Sequence, residues 1–201
     1  LLSGKDIVVS AESLRTKSGQ IAGNRDVSLT VKNALDIQDA SVQSGRDLSI
    51  EADAMPLSGN LSTNRDMRLT LHGNLSNEAA AENFGNLRAG RNLTANLRGN
   101  VYNQRKLEAA GTLSLATTGS LTQTAAGEIS GKNLAIHTAD MENRGLVQAD
   151  EGAAITASNL KNDAAGRIYG NTIDVQASHI RNEKNAHLEA RLAEEMHILK
   201  E

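Results

Sequence analysis

The stretch Ser44-Gly45-Arg46-Asp47-Leu48-Ser49-Ile50-Glu51-Ala52 decides the architecture. Leu48, Ile50 and Ala52 alternate with polar residues, the period of two that belongs to a strand with one buried face. The Gly-basic-Asp triplet before them reads as a turn. Gly admits φ > 0 at little cost, and Asp or Asn accepts hydrogen bonds from nearby backbone donors. The unit returns as Ser3-Gly4-Lys5-Asp6-Ile7-Val8-Val9, as Ala89-Gly90-Arg91-Asn92-Leu93-Thr94-Ala95 and as Ser130-Gly131-Lys132-Asn133-Leu134-Ala135-Ile136. A short period sustained along a chain means a stacked architecture. Such arrays serve mostly as rods, spacers and binding surfaces.

The apolar residue before each small-Gly pair marks a coil start: Leu2, Ile21, Val42, Leu61, Leu87, Leu107, Ile129, Val147, Ile168 and Leu188. The spacings are 19, 21, 19, 26, 20, 22, 18, 21 and 20 residues, below the periods of most helical repeats. Alternation recurs at Val27, Leu29 and Val31, at Met67, Leu69 and Leu71, and at Ile173, Val175 and Ala177. A second short strand follows in each coil, for example Val101-Tyr102-Asn103, Met141-Glu142-Asn143 and Leu160-Lys161-Asn162. A third opens the next coil. Three short strands in about twenty residues make one rung of a parallel β-helix, and nine to ten rungs at ~4.8 Å give a rod of roughly 45 Å. The fold class is therefore all-β.

Two columns of residues follow from the stacking. Asn77, Asn103, Asn143, Asn162 and Asn182 occupy equivalent positions, with Gln123 standing in once. At strand spacing their amides can bond along the rod axis as a ladder. Thr16 and Ile37 replace them in the first coils, where this turn should differ. The turn corner holds Gly4, Asp6, Gly45, Asp47, Gly90, Asn92, Gly131 and Asn133, with the basic residue beside each acid offsetting like-charge repulsion. Both columns read as structural. An ion- or glycan-binding stripe is the competing reading.

Two segments depart from the period. Asn77 to Asn86 creates the 26-residue spacing and reads as a loop bulging from one corner, with Glu78, Glu82 and Phe84 as candidate contact residues and Phe84 folding back as a lid. Residues 188–201 turn helix-friendly. Leu188, Leu192, Met196 and Leu199 recur at helical spacing, which predicts either a short helix capping the rod or a truncated further rung.

Composition narrows the function. The 201 residues contain no Cys, which excludes a disulfide framework and a Cys-based zinc site. With 21 basic and 24 acidic residues the net charge is -3, which favours neither nucleic acid nor an anionic membrane. The aromatic residues are Phe84, Tyr102 and Tyr169, so the core must be thin and filled by Leu, Ile, Val and Ala. Pro56 is the single proline. No apolar run approaches the ~18 residues of a membrane span, and Leu1-Leu2 lack the flanks of a signal peptide. The chain starts and ends inside the pattern, as a piece of a longer protein would.

No active site is legible. His72, His137, His179, His187 and His197 form no zinc-protease pair or triad setting, and no phosphate-binding loop or calcium nonapeptide occurs. Parallel β-helices that cleave polysaccharides need carboxylates converging beside a groove, whereas here the acids are spread one per rung. An enzyme is not expected, nor a cofactor or metal.

The runs Met141-Glu-Asn-Arg-Gly-Leu-Val-Gln-Ala and Leu160-Lys-Asn-Asp-Ala-Ala-Gly-Arg-Ile-Tyr-Gly resemble the repeat of filamentous haemagglutinins, a likeness that covers residues 1 to 190. The resemblance implies a right-handed β-helical filament. It also implies a very large exoprotein, secreted to the cell surface of a Gram-negative bacterium through a dedicated outer-membrane two-partner-secretion transporter. Members act as adhesins or as contact-dependent inhibition sticks that carry a toxin at the tip; haemolysins form a smaller branch. The secretion domain with its Asn-Pro motifs and the Val-Glu-Asn-Asn toxin boundary are absent here, so only the shaft role carries over. A host or neighbour-cell receptor is the other partner implied, and the segment is expected to be a monomer that does not insert into membranes. The alternative role is direct receptor or glycan binding through the 77–86 loop.

Overall fold

A computed structural model describes residues 1–77, 86–191 and 196–199. The candidate loop residues Glu78, Glu82 and Phe84 lie outside the described residues.

Among the described residues, the strands pair in parallel with strands of the adjacent coils, about twenty residues away, and none pairs with its neighbour in sequence. This is a right-handed parallel β-helix of about nine turns. Three strand columns run the length of the rod. In the third coil they are Ser41–Ser44, Leu48–Ala52 and Met55–Leu57. Further on, strands merge across corners. Lys106–Thr117 and Glu128–His137 join the first two columns, and Gly152–Asn162 and Thr172–Asn182 join the second and third.

The alternation read from the sequence sets the faces. In Leu48–Ala52 the apolar residues are buried and Ser49 and Glu51 exposed. The core is a single column of Leu, Ile, Val, Met and Ala that runs through every described coil. Each strand meets its like in the next coil, as in Leu29↔Ile50, Ile50↔Leu69 and Leu69↔Ala95. Tyr102 sits on an outer face.

The coil-start markers pair with one another at every junction from Ile21 to Leu188. The first junction is a correction: Leu2 pairs with Ala22 rather than Ile21, and its side chain is exposed. Two adjacent leucines open the chain, and a shift of one residue exchanges the faces.

The tail takes one of its two expected forms. His187–Ala190 is a strand paired with Arg167–Gly170, and Met196–Leu199 is a strand paired with Ile173–Gln176. Of the capping helix and the further rung expected over 188–201, it is the rung that these residues form. The open edge of Thr172–Asn182 offers a row of backbone partners, and that outweighs a helix-like spacing only four apolar residues long.

The corners explain the small residues. Gly45 and Gly90 lie where an added Cβ would overlap the backbone carbonyl of Asn24 or Asn64 in the preceding coil. Backbone cannot yield as a side chain would. Gly90→Ala is expected to cost about 1–3 kcal/mol, measured as a lowered urea midpoint. Asp39 and Asn185, at φ of 45° and 69°, occupy the left-handed region that short polar side chains tolerate.

Candidate functional site

The inner amide column is continuous where it can be traced. Asn103 Nδ2 donates to Gln123 Oε1 at 3.0 Å, Gln123 Nε2 to Asn143 Oδ1 at 3.0 Å, Asn143 Nδ2 to Asn162 Oδ1 at 2.8 Å and Asn162 Nδ2 to Asn182 Oδ1 at 2.9 Å. Asn103, Gln123 and Asn143 are wholly buried. The second amide proton goes to the carbonyl of the residue that opens the next strand: Gln123 to Leu146 O at 2.8 Å, Asn162 to His187 O at 2.8 Å. Buried polar groups persist only when so satisfied. Asn77 holds the same register through its backbone, between Leu57 and Asn103. Thr16, Ile37 and Leu57 fill the column below it, and Ile37 and Leu57 are buried in the core.

The acidic corner works across coils rather than within them. Asp6 Oδ1 accepts the backbone N–H of Asp26 at 3.1 Å, Asp26 Oδ1 that of Asp47 at 3.2 Å, Asp47 Oδ1 that of Asp66 at 3.1 Å and Asp66 Oδ1 that of Asn92 at 3.2 Å. Asn92 does the same for Thr112 at 2.9 Å, and Asn133 for Gly152 at 3.2 Å. The basic residue reaches back one coil. Arg25 lies 3.4 Å from Asp6, Arg46 makes two bonds to Asp26 at 3.1 and 2.7 Å, Arg65 lies 3.6 Å from Asp47, and Arg91 pairs with Asp66. The Arg46 guanidinium holds the Asp26 carboxyl below the usual carboxylate range, and Arg91 does so for Asp66.

Gly131 does not share the place of Gly45 and Gly90. It pairs with Ala109, which pairs with Ala89, and the coil below absorbs the difference in a register shift between Ala109 and Thr112. The corner there is one residue shorter, so Asn133 still aligns with Thr112.

Two further ladders escaped the sequence reading. Asn60 Oδ1 accepts from Asn86 N at 3.3 Å and Asn86 Oδ1 from Lys106 N at 3.3 Å. Asn74 Oδ1 accepts from Asn100 N at 2.7 Å, and Asn100 Oδ1 from Ser120 N at 2.9 Å. The signal was the Asn before an apolar strand residue in Asn60-Leu61, Asn74-Leu75 and Asn86-Leu87. A surface network of Glu142, Arg144, Lys161 and Asp163 adds ion pairs at 2.9–3.4 Å, Arg144–Asp163 and Lys161–Glu142 between neighbouring coils and the other two within a coil.

A shallow groove of about 600 Å³ crosses the corner of coils five to nine, lined by Thr117, Thr138, Thr156, Ser158 and His137 among others. Thr138 Oγ1 donates within the backbone there, to Gly119 O at 2.8 Å. The lining holds no carboxylate, so it has no acid-base pair. Among the described residues no group of three or more His, Asp or Glu is placed to hold a metal ion.

The repeated polar residues thus hold coil to coil, and the class this defines is a β-solenoid rod of the adhesin-shaft type. The family model described as haemagglutinin repeat matches residues 1–39, 15–83, 83–130 and 129–191, and the chain belongs to that family. The family is structural and adhesin-like, typical of secreted and cell-surface proteins, and consistent with two-partner secretion. Neither the curated proteins nor the solved structures searched contain a match.

Proposed function

We propose that this chain is a shaft segment of a large secreted filament at the surface of a Gram-negative bacterium, projecting a distal binding or toxin domain. The observation that carries this reading is the use of the repeated polar side chains. The inner amides, the corner acids and the outer asparagines each bond the next coil. Export would run through an outer-membrane transporter that recognises a domain elsewhere in the parent protein. The Cys-free chain suits passage in an unfolded form, followed by coil-by-coil folding outside.

Deleting residues 78–83 from the parent protein tests the reading. A shaft keeps its β-sheet circular dichroism and its attachment to host or neighbouring cells, because attachment then belongs to the distal domain. Loss of attachment with the fold intact would overturn the shaft reading and assign receptor binding to that loop.

A further inference from the structure

The rod uses different clasps at its two ends. Through the first five coils the main-chain seam at one corner is closed by ionised carboxylates: Asp6, Asp26, Asp47 and Asp66 each accept a backbone N–H of the following coil. From Asn92 onward the same position is Asn92, Thr112, Asn133 and Gly152, with no acid. The inner column changes in the opposite sense. It is apolar at Ile37 and Leu57 and becomes an amide ladder from Asn103 to Asn182, buried as far as Asn162. Charged clasps occupy one end and neutral ones the other.

We propose that the rod carries a built-in acid release: protonation of the corner aspartates opens the N-terminal coils while the amide-laddered coils stay closed. Protonation exchanges the charged acceptor of each N–H for a weaker neutral one and leaves Arg25, Arg46, Arg65 and Arg91 stacked without their counter-charges. The flanking outward positions offer no substitute. They carry Ala22, Gln43 and Ser62 on one side and Val8, Ser28 and Ser49 on the other. The charges nearby are Arg68, also basic, and Arg88, which faces Glu108 at 3.6 Å. His72 and Glu51, 3.6 Å apart, lie further along the second column.

In the C-terminal coils the acids play another part. Glu108, Glu128, Glu142 and Glu151 pair with Lys or Arg side chains. Asp163 accepts from Ala164 N, inside its own turn. Protonating them weakens surface pairs and leaves the coil-to-coil backbone bonds and the amide ladder in place. The sign follows from linkage. Asp26 and Asp66 titrate lower in the folded rod than in the open chain, and so do Glu142, Glu151 and Asp163, whose coils keep the uncharged amide ladder behind them. Their stabilisation is present above the unfolded carboxylate range near pH 4 and is lost as the pH falls through the folded value.

The test is amide hydrogen exchange of the whole chain between pH 6 and pH 3, corrected for intrinsic rates. Protection within Ile7–Leu71 should fall at least about tenfold more than protection within Leu113–Asn162. An equal loss in both halves, an earlier loss in the C-terminal coils, or no loss down to pH 3 would each overturn the proposal. The triple variant D26N/D47N/D66N keeps only a neutral oxygen acceptor for each N–H and stands for the protonated rod, so its N-terminal coils should already be less protected at pH 6. It should lose the acid dependence, and an unchanged acid response would also overturn it.

Discussion

Leu134→Asp is expected to unfold the middle of the rod. Leu134 is 2 % exposed and pairs with Leu113 below and Ala153 above. An aspartate there buries a charge in a column of aliphatic side chains with no base to meet it. The cost should be at least about 4 kcal/mol, a large share of the stability of a typical domain. Each coil contacts only its neighbours, so the loss should localise at first to the coils around residue 134 and then divide the array. Ser49→Asp is the control. Ser49 points outward from Leu48–Ala52, and the same charge there should move stability by less than about 0.5 kcal/mol. Urea unfolding of both variants measures the difference. Equal effects would contradict the inward and outward assignment of the second column.

The second large effect is at Asn143. Its Nδ2 donates to Asn162 Oδ1 at 2.8 Å and to Gly145 O at 3.2 Å, and its Oδ1 accepts from Gln123 Nε2 at 3.0 Å. Asn143→Asp replaces the donor by an anion. A carboxylate oxygen then faces the oxygens of Asn162 and Gly145 in a site closed to water, at a cost of about 3–5 kcal/mol near neutral pH. Burial raises the folded pKa of this new acid above its unfolded value, so the penalty should shrink as pH falls and the group takes up a proton. That trend runs opposite to the corner aspartates. Asn143→Leu makes the column resemble Leu57 in the third coil, removes the ladder without adding charge, and should cost about 1–3 kcal/mol. Chemical denaturation at pH 7 and pH 4.5 separates the two. A leucine variant less stable than the aspartate variant at pH 7 would refute the ladder as the source of the effect.

The period was legible because side-chain alternation and turn chemistry repeat together: Leu48, Ile50 and Ala52 behind Arg46-Asp47 could be matched coil after coil. The amide column was legible for the same reason, down to Gln123 standing in for Asn. What escaped depends on neighbours in space. The spacing of Arg46 and Asp47 in the chain does not say that Arg46 binds Asp26 instead. Gly131 looked equivalent to Gly90 because the local residues agree, while the true register is carried by Ala109 one coil away. The tail stayed open between helix and rung because Met196 and Ile198 fit a period of two as well as Leu192, Met196 and Leu199 fit a helix, and the exposed strand edge decided between them.

The corner and inner clasps point one way along the chain. The side chain of an earlier coil receives the backbone of the later one at Asp26 and Asp47, and the inner amides hand their protons forward from Asn103 to Asn182. A coil therefore carries the docking instructions for its successor. Coils with the same clasps are interchangeable, and removing or duplicating one whole coil joins edges that already match. The length of such a rod becomes a countable trait, one that can grow or shrink in steps of about 4.8 Å without redesign of any seam.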